Sequence, residues 1–443
     1  MRISLSEHFT YGKLLRFVFP SIIMMVFTSI YGVVDGLFVS NIVGETAFAS
    51  LNLVMPFIMV LGGMGFMVGT GGSALAAKEM GSRNTDRANR YFTMMIYFTL
   101  ILGILMTVIG IAFIRPVSYF LGASEDMIDD CVLYGSIVIG FSTAFMLQNV
   151  FQSFLAAAER PKLGLLITVA AGLTNAALDA LFMMVFRWGL AGAALATGIG
   201  QCVGGIIPLI YFLRPNGSPL RLTKTRLEAK PLIKACANGS SELMTNISSS
   251  FVSMLYNFRL MEYVGKMGVS AYGVLMYVQF IFIAIYIGYA IGGAPIISYH
   301  YGAGNHDELK NLLRKGTVFM GTVGVILTVL ALALAKPLAF IFVGYNAELF
   351  ELTCHAFRLF AFSFILSGFN IFASSFFTAL NNGGISALIS FLRTLLFQTA
   401  SVIILPSFFD IDGIWWAITV AEVFAFIISA VFIFAKRKQY NYL

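Results

Sequence analysis

The feature that most limits this chain is a series of apolar stretches, each near the roughly 20 residues a helix needs to cross a bilayer. Twelve can be counted between residues 14 and 435, and no connection between them is long enough to hold a soluble domain. Only 11% of the 443 residues are charged and the mean hydropathy is +0.87, whereas soluble proteins carry about 25% charged residues. Most of the surface must therefore meet something other than water. This excludes a soluble enzyme, a nucleic-acid-binding domain and a disordered scaffold, and leaves an all-α polytopic membrane protein. The net charge of +7 does not argue for nucleic acid, because the basic residues are confined to short loops. Lys13 and Arg16 before the first apolar run imitate a signal peptide. The run is too long, and Pro20 and Asp35 interrupt it, so a retained first helix is expected. Cys131, Cys202, Cys236 and Cys354 form no CxxC and read as small apolar filler.

Of the 28 lysines and arginines, 21 fall on the side that holds both termini and 5 on the other. The excess puts both termini in the cytoplasm of a multi-pass plasma-membrane protein. The longest polar connection, 214–234, contains Pro215, Gly217, Pro219 and Pro231 and reads as a linker between an amino-terminal lobe, 1–213, and a carboxy-terminal lobe, 235–443. The two align with each other. Gly44 matches Gly265, Gly81 matches Gly302 and Pro116 matches Pro337, each 221 residues apart; Ser153 and Phe154 match Ser375 and Phe376 at 222, and Gly189 matches Gly413 at 224. Six spans per repeat is an even number, so both copies enter the membrane the same way. Parallel repeats about an axis along the membrane normal are a transporter architecture, with a central cleft that rocking opens to either side.

A charge at the bilayer centre costs about 2.5–3.5 kcal/mol on insertion scales, so intramembrane acids are functional candidates. At about 1.5 Å per residue, Asp35, Asp179 and Thr197 all fall in the outer half of the first lobe. Asn175 precedes Asp179 by four and shares its helical face. Two acids, an amide and a hydroxyl at one depth make a candidate site for a coupling cation. Nearby carboxylates in low dielectric do not easily both stay ionised, which suits reversible protonation; the same oxygens suit Na⁺. The repeat is an internal control: Asp35 aligns with Tyr256 and Asp179 with Ser401, so the second lobe lacks both acids. Pro20, fifteen residues before Asp35, removes a helix hydrogen bond and is a candidate hinge. Arg393 and Glu422 fall near mid-membrane on neighbouring spans, and a structural ion pair is expected of them.

Cleft candidates are polar or adaptable side chains on the spans facing the groove: Met55 and Met59 on span 2, Gln148 and Gln152 on span 4, Glu242, Asn246 and Asn257 on span 7, and Tyr277 and Gln279 on span 8. Methionine adapts to varied apolar shapes, and tyrosine attracts organic cations through its ring face. No phosphate loop, HExxH or strand-borne GxSxG is present, so neither an enzyme nor a cofactor or structural metal is expected, and the energy for transport comes from an ion gradient. An intramembrane aspartyl protease would need a GxGD motif. Asp35 lies in Val-Val-Asp-Gly and Asp179 in Ala-Leu-Asp-Ala.

The two six-span halves, the Pro20–Asp35 helix, the Asn175–Asp179 pair and the following Gly189-Leu-Ala-Gly-Ala-Ala-Leu-Ala-Thr197 segment together resemble the multidrug and toxic compound extrusion (MATE) transporters, in particular their prokaryotic DinF-like and MepA-like branches. The resemblance covers essentially the whole chain. It implies a V-shaped bundle of two six-helix lobes in a prokaryotic cell membrane, and export of amphipathic, often cationic, organic compounds in exchange for H⁺ or Na⁺. It also implies that Asp35, Asn175, Asp179 and Thr197 form the coupling site, with Pro20 as bending point. No obligatory protein partner is expected, the chain working as a monomer. The other reading is a flippase or exporter of lipid-linked or polar metabolites on a related scaffold. One departure is clear: some relatives carry an acid in the middle of helix 7 and another in helix 10, whereas Glu242 lies early in helix 7 and helix 10 has no acid.

Overall fold

A computed structural model describes residues 3–442. Twelve helical rods account for nearly all of them. The first half comprises α1 (Tyr11–Phe38), α2 (Glu45–Gly81), α3 (Thr85–Phe120), α4 (Ile128–Gly140 and Ser142–Ala157, bent by 53°), α5 (Pro161–Asp179, continued by a π turn Ala180–Val185) and α6 (Gly189–Leu213). The second comprises α7 (Ala229–Tyr263), α8 (Lys266–Gly302), α9 (His306–Val343), α10 (Ala347–Phe360 and Ser363–Ala379, bent by 48°), α11 (Gly383–Phe391, a π turn Leu392–Phe397, then Gln398–Ile404) and α12 (Pro406–Tyr440).

Among the described residues, nine rods are long and apolar enough to cross a membrane, and the two bent pairs bring the number to eleven. The twelfth expected span, α7, is 35 residues long but too polar to qualify. The run from Asn238 through Glu242 to Ser250 is the reason. It also starts at Ala229, six residues inside the stretch expected to be linker.

The repeat is visible in the turns. Asn84 and Asn305 occupy equivalent places and cap α3 and α9 through the backbone N–H of Arg87 (3.3 Å) and Glu308 (3.1 Å). Each follows a residue in the left-handed region, Arg83 at φ 61° and Gly304 at φ 67°. Glu159 at φ 57° and Asn381 at φ 58° form a second equivalent pair.

The halves meet on the side that carries the basic loops. A Cβ on Gly81 would lie 1.9 Å from the Tyr299 carbonyl oxygen, and one on Gly302 would lie 2.0 Å from that of Lys78. These two contacts are exchanged by the repeat itself, so only glycine permits the approach at either place. The Ser82 hydroxyl donates to the Gly302 carbonyl at 2.9 Å, and the Lys78 ammonium lies 4.7 Å from the Tyr301 ring centre. The segment before α1 straps the same side. The Phe9 N–H and His8 Nδ1 meet the Glu308 carboxylate at 2.9 and 2.5 Å, Asn311 and Lys315 donate to the Phe9 carbonyl, and Ser4 and Leu5 reach Glu159 at 2.8 and 2.9 Å. Cross-contacts continue as far as Ser29 with Phe280 and Gly63 with Asn246. Ile30, Met59 and the Phe280 side chain, on these same helices, are exposed.

Candidate functional site: a buried acid pair in the first bundle

Asp35 and Asp179 are 7% and 1% exposed, and their carboxyl groups come within hydrogen-bonding range of each other. Local sequence makes this approach possible. Gly172 on α5 lies under the rings of Phe27 and Tyr31 on α1, where a Cβ would meet them at 2.6 and 3.1 Å. With no side chain between them, the helices run close enough for the two acids further along to touch. Each acid also sits where α-helical hydrogen bonding changes. The Val39 N–H is shared between the Asp35 and Gly36 carbonyls as α1 passes into the π turn Val39–Val43, and Asp179 is the last α-helical residue before the π turn Ala180–Val185. Such turns recur at functional positions because they re-aim side chains out of the regular register.

Around the pair stand uncharged oxygens and amides. Asn175 is buried one turn before Asp179, packed against Gly200 of α6. Tyr134 of α4 faces both acids and reaches Thr197 of α6, while Tyr31 lies beside Asp35 and reaches Gln148 of α4. Asp35 Oδ1, both Asp179 oxygens, Thr197 Oγ1, Tyr134 Oη, Asn175 Nδ2 and Gln148 Oε1 are buried without a hydrogen-bond partner. Buried polar groups are normally paired, because leaving one unpaired costs about 1–3 kcal/mol. Such a set has the chemistry to take up a proton shared between the carboxyls, or a hard monovalent cation held by oxygens. Among the described residues no three His, Cys, Asp or Glu side chains converge, so the donor set is not that of a transition-metal centre.

The second bundle handles its buried charge differently. Arg393, in the π turn of α11, binds Glu422 of α12 through Nη2 at 2.8 Å and Nε at 2.9 and 3.0 Å. Asn370 of α10 donates to the Glu422 carboxylate at 2.6 Å and to its carbonyl at 3.0 Å, and Ser429 donates to Asn370 Oδ1 at 3.1 Å. Where the first bundle has Asp35, the second has Tyr256, stacked on Tyr272 with centroids 4.8 Å apart. Glu242 faces Arg393 from α7.

The remaining sequence candidates scatter. Pro20 is buried inside an uninterrupted α1. Gln148 lies beside Tyr31 in the surroundings of the acid pair, and Gln152 is also buried. Met55 packs inside the first bundle, and Tyr277 stacks on Phe342 within the second at 6.0 Å. Asn246 donates to the Glu242 carbonyl at 2.8 Å and abuts Gly63 where the halves meet. Met59 and Asn257 are exposed, and Gln279 is half-buried. Sequence reasoning passed over Tyr31, Tyr134, Asn370 and Ser429; the tyrosines carried no distinguishing signal among 18.

Two repeated helical bundles of membrane-spanning length, with an acid pair that has no basic partner among the described residues inside one of them, are the architecture of a polytopic membrane transporter. The MatE family model matches residues 20–181 and again 243–403, and the chain belongs to this family, one of transporters and not of enzymes. It is 21% identical over 428 residues to the multidrug export protein MepA of Staphylococcus saprophyticus, an alignment covering 96% of this chain and 94% of that protein. Its fold matches that of a MATE protein crystallised with MaL6 (TM-score 0.93, 19% identity, 98% of each chain). It also matches the outward-facing conformation of a multidrug-resistance MATE transporter (TM-score 0.92, 19% identity, 98% of each chain).

Proposed function

We propose that this protein is a cation-coupled antiporter that exports amphipathic, often cationic, organic compounds by alternating access, with H⁺ or Na⁺ loading at Asp35 and Asp179. The observation that carries the reading is the contact between those two carboxyls, surrounded by unpartnered oxygens and amides and by no basic side chain among the described hydrogen bonds and ion pairs. Two full negative charges at that separation repel strongly in a medium of low dielectric. A bound proton or Na⁺ relieves the repulsion, and departure of that ion restores it, so occupancy changes how α1 and α5 pack. The name of the staphylococcal relatives supports drug-like cargo.

Residues 1–213 and 235–443 act as the rocking lobes, and 214–234 as their link. The basic side, which carries both termini, faces the cytoplasm. The protein works as a monomer in the cell membrane. Export of a lipid-linked or polar anionic metabolite would call for a cationic cleft; the cleft candidates Met55, Met59, Gln148, Gln152, Asn246, Asn257, Tyr277 and Gln279 are uncharged and Glu242 is acidic. The test is transport of tetraphenylphosphonium in proteoliposomes with pH and Na⁺ gradients imposed separately. One of the two gradients should drive export, and neither should mean none. Export that ignores both gradients and needs added nucleotide would overturn the proposal.

A further inference from the structure

The segment that joins the halves does not hang free. The Arg221 N–H donates to Asn89 Oδ1 at 2.9 Å and the Thr223 N–H donates to Thr93 Oγ1 at 2.9 Å, so alternate residues of an extended strand are bonded to one face of α3. Leu220 is fully buried beneath it, as is Thr93. This anchoring fixes the next residues beside Arg90, and a pocket of about 410 Å³ opens there, lined by Arg90, Lys224, Thr225, Arg226 and Glu228. The neighbouring Arg87 is already engaged by Tyr91 at 2.8 Å and Glu79 at 3.9 Å. Among the described residues Arg90, Lys224 and Arg226 make no ion pair, so three cations face one pocket against the single acid Glu228.

The position of the pocket says what it fits. From Arg90, the same face of α3 continues at intervals of seven, eleven, fourteen and eighteen residues through Tyr97, Ile101, Ile104 and Val108, all exposed. Tyr97 lies about 10 Å along the helix axis from Arg90. A cationic pocket, an aromatic residue at the level of the interface and a long apolar face below it repeat the profile of a phospholipid: charged head, glycerol region, acyl chains.

We propose that the pocket between Arg90 of α3 and the Lys224–Arg226 stretch of the linker binds the headgroup of an anionic phospholipid whose chains lie along the Tyr97–Val108 face. The lipid ties the linker to the first bundle, and so sets the slack available when the halves move. The full-length protein in detergent, offered equal amounts of dioleoyl phosphatidylglycerol and dioleoyl phosphatidylcholine, should retain the anionic lipid in native mass spectra. Combining Arg90→Gln, Lys224→Gln and Arg226→Gln should erase the preference, each lost charge weakening retention about fivefold. The same charge removed by Lys436→Gln, Arg437→Gln and Lys438→Gln at the end of α12, outside the pocket, should leave it intact. Arg226→Gln alone, in a non-helical segment, gives the same reading should the triple variant not be recovered. Equal retention by wild type and the Arg90 triple variant or Arg226→Gln, or equal loss in the Lys436 triple variant, would overturn the proposal. So would displacement of the lipid by millimolar glycerol 3-phosphate, which would mark the pocket as a site for soluble phosphates.

Discussion

In the second bundle Glu422 is held by Arg393 and Asn370 at 2.6–3.0 Å, with Ser429 completing the chain of bonds. In the first, Asp35 and Asp179 have chiefly each other, and the amides and hydroxyls around them keep free lone pairs or protons. The two bundles descend from one repeat and bury acids on comparable helices. Around Glu422 the second has closed its acid's hydrogen bonds within the protein, leaving Tyr256 Oη unpartnered, whereas in the first the acids themselves keep unpartnered oxygens. A closed network fixes a structure, while an open one can be loaded and emptied. The difference predicts opposite responses to the same kind of substitution.

The largest effect is expected in the first bundle. Asp35→Asn or Asp179→Asn should reduce gradient-driven export to background, read as ethidium efflux at matched protein abundance. Thermal stability should hold or rise, because an amide beside a carboxylate replaces repulsion with a hydrogen bond. In the second bundle the sign reverses. Glu422→Gln leaves a buried guanidinium uncompensated and should cost about 3–5 kcal/mol, seen as a lowered melting temperature. Replacing both partners, Arg393→Met with Glu422→Leu, should restore most of that stability and keep ion-driven transport. A double variant that folds well but has lost coupling would bring the second bundle into the mechanism.

Smaller effects sharpen the contrast. The strap before α1 joins the bundles through Glu308, and Glu308→Gln removes charge-assisted bonds worth about 1.5–3 kcal/mol. A cysteine at Ser82 should then react faster with a membrane-impermeant thiol reagent added from the basic side. Thr197→Ala takes one hydroxyl oxygen from the open network and should weaken apparent coupling-ion affinity by about tenfold or less, with no change in melting temperature. A drop in melting temperature without a change in ion affinity would assign Thr197 to packing.

Much of this was legible in the residues. The apolar stretches located all twelve rods and the 221-residue offset exposed the repeat, because both follow from the bilayer's demand for apolar length and from copied turns. Depth counting put Asp35, Asp179 and Thr197 at one level, since helix rise is constant. What it could not supply is azimuth across helices. Gln148 and Gln152 stand out because periodicity marks a polar face without saying which neighbour it meets; that Gln148 lies beside Tyr31 was not legible. Tyr134 reaches the acids only because α4 is bent by 53°, and no local motif encodes that bend. The polarity of α7 was plain, yet it made that rod fail as a span while marking it as unusual.

The central claim is that the cation exchanged for cargo resides in the first bundle. The most direct measurement is the number of H⁺ or Na⁺ ions released when tetraphenylphosphonium binds to the purified protein. Wild type and Glu422→Gln should release the same number, and Asp35→Asn should release none. Undiminished release from Asp35→Asn, or its loss in Glu422→Gln alone, would contradict the account.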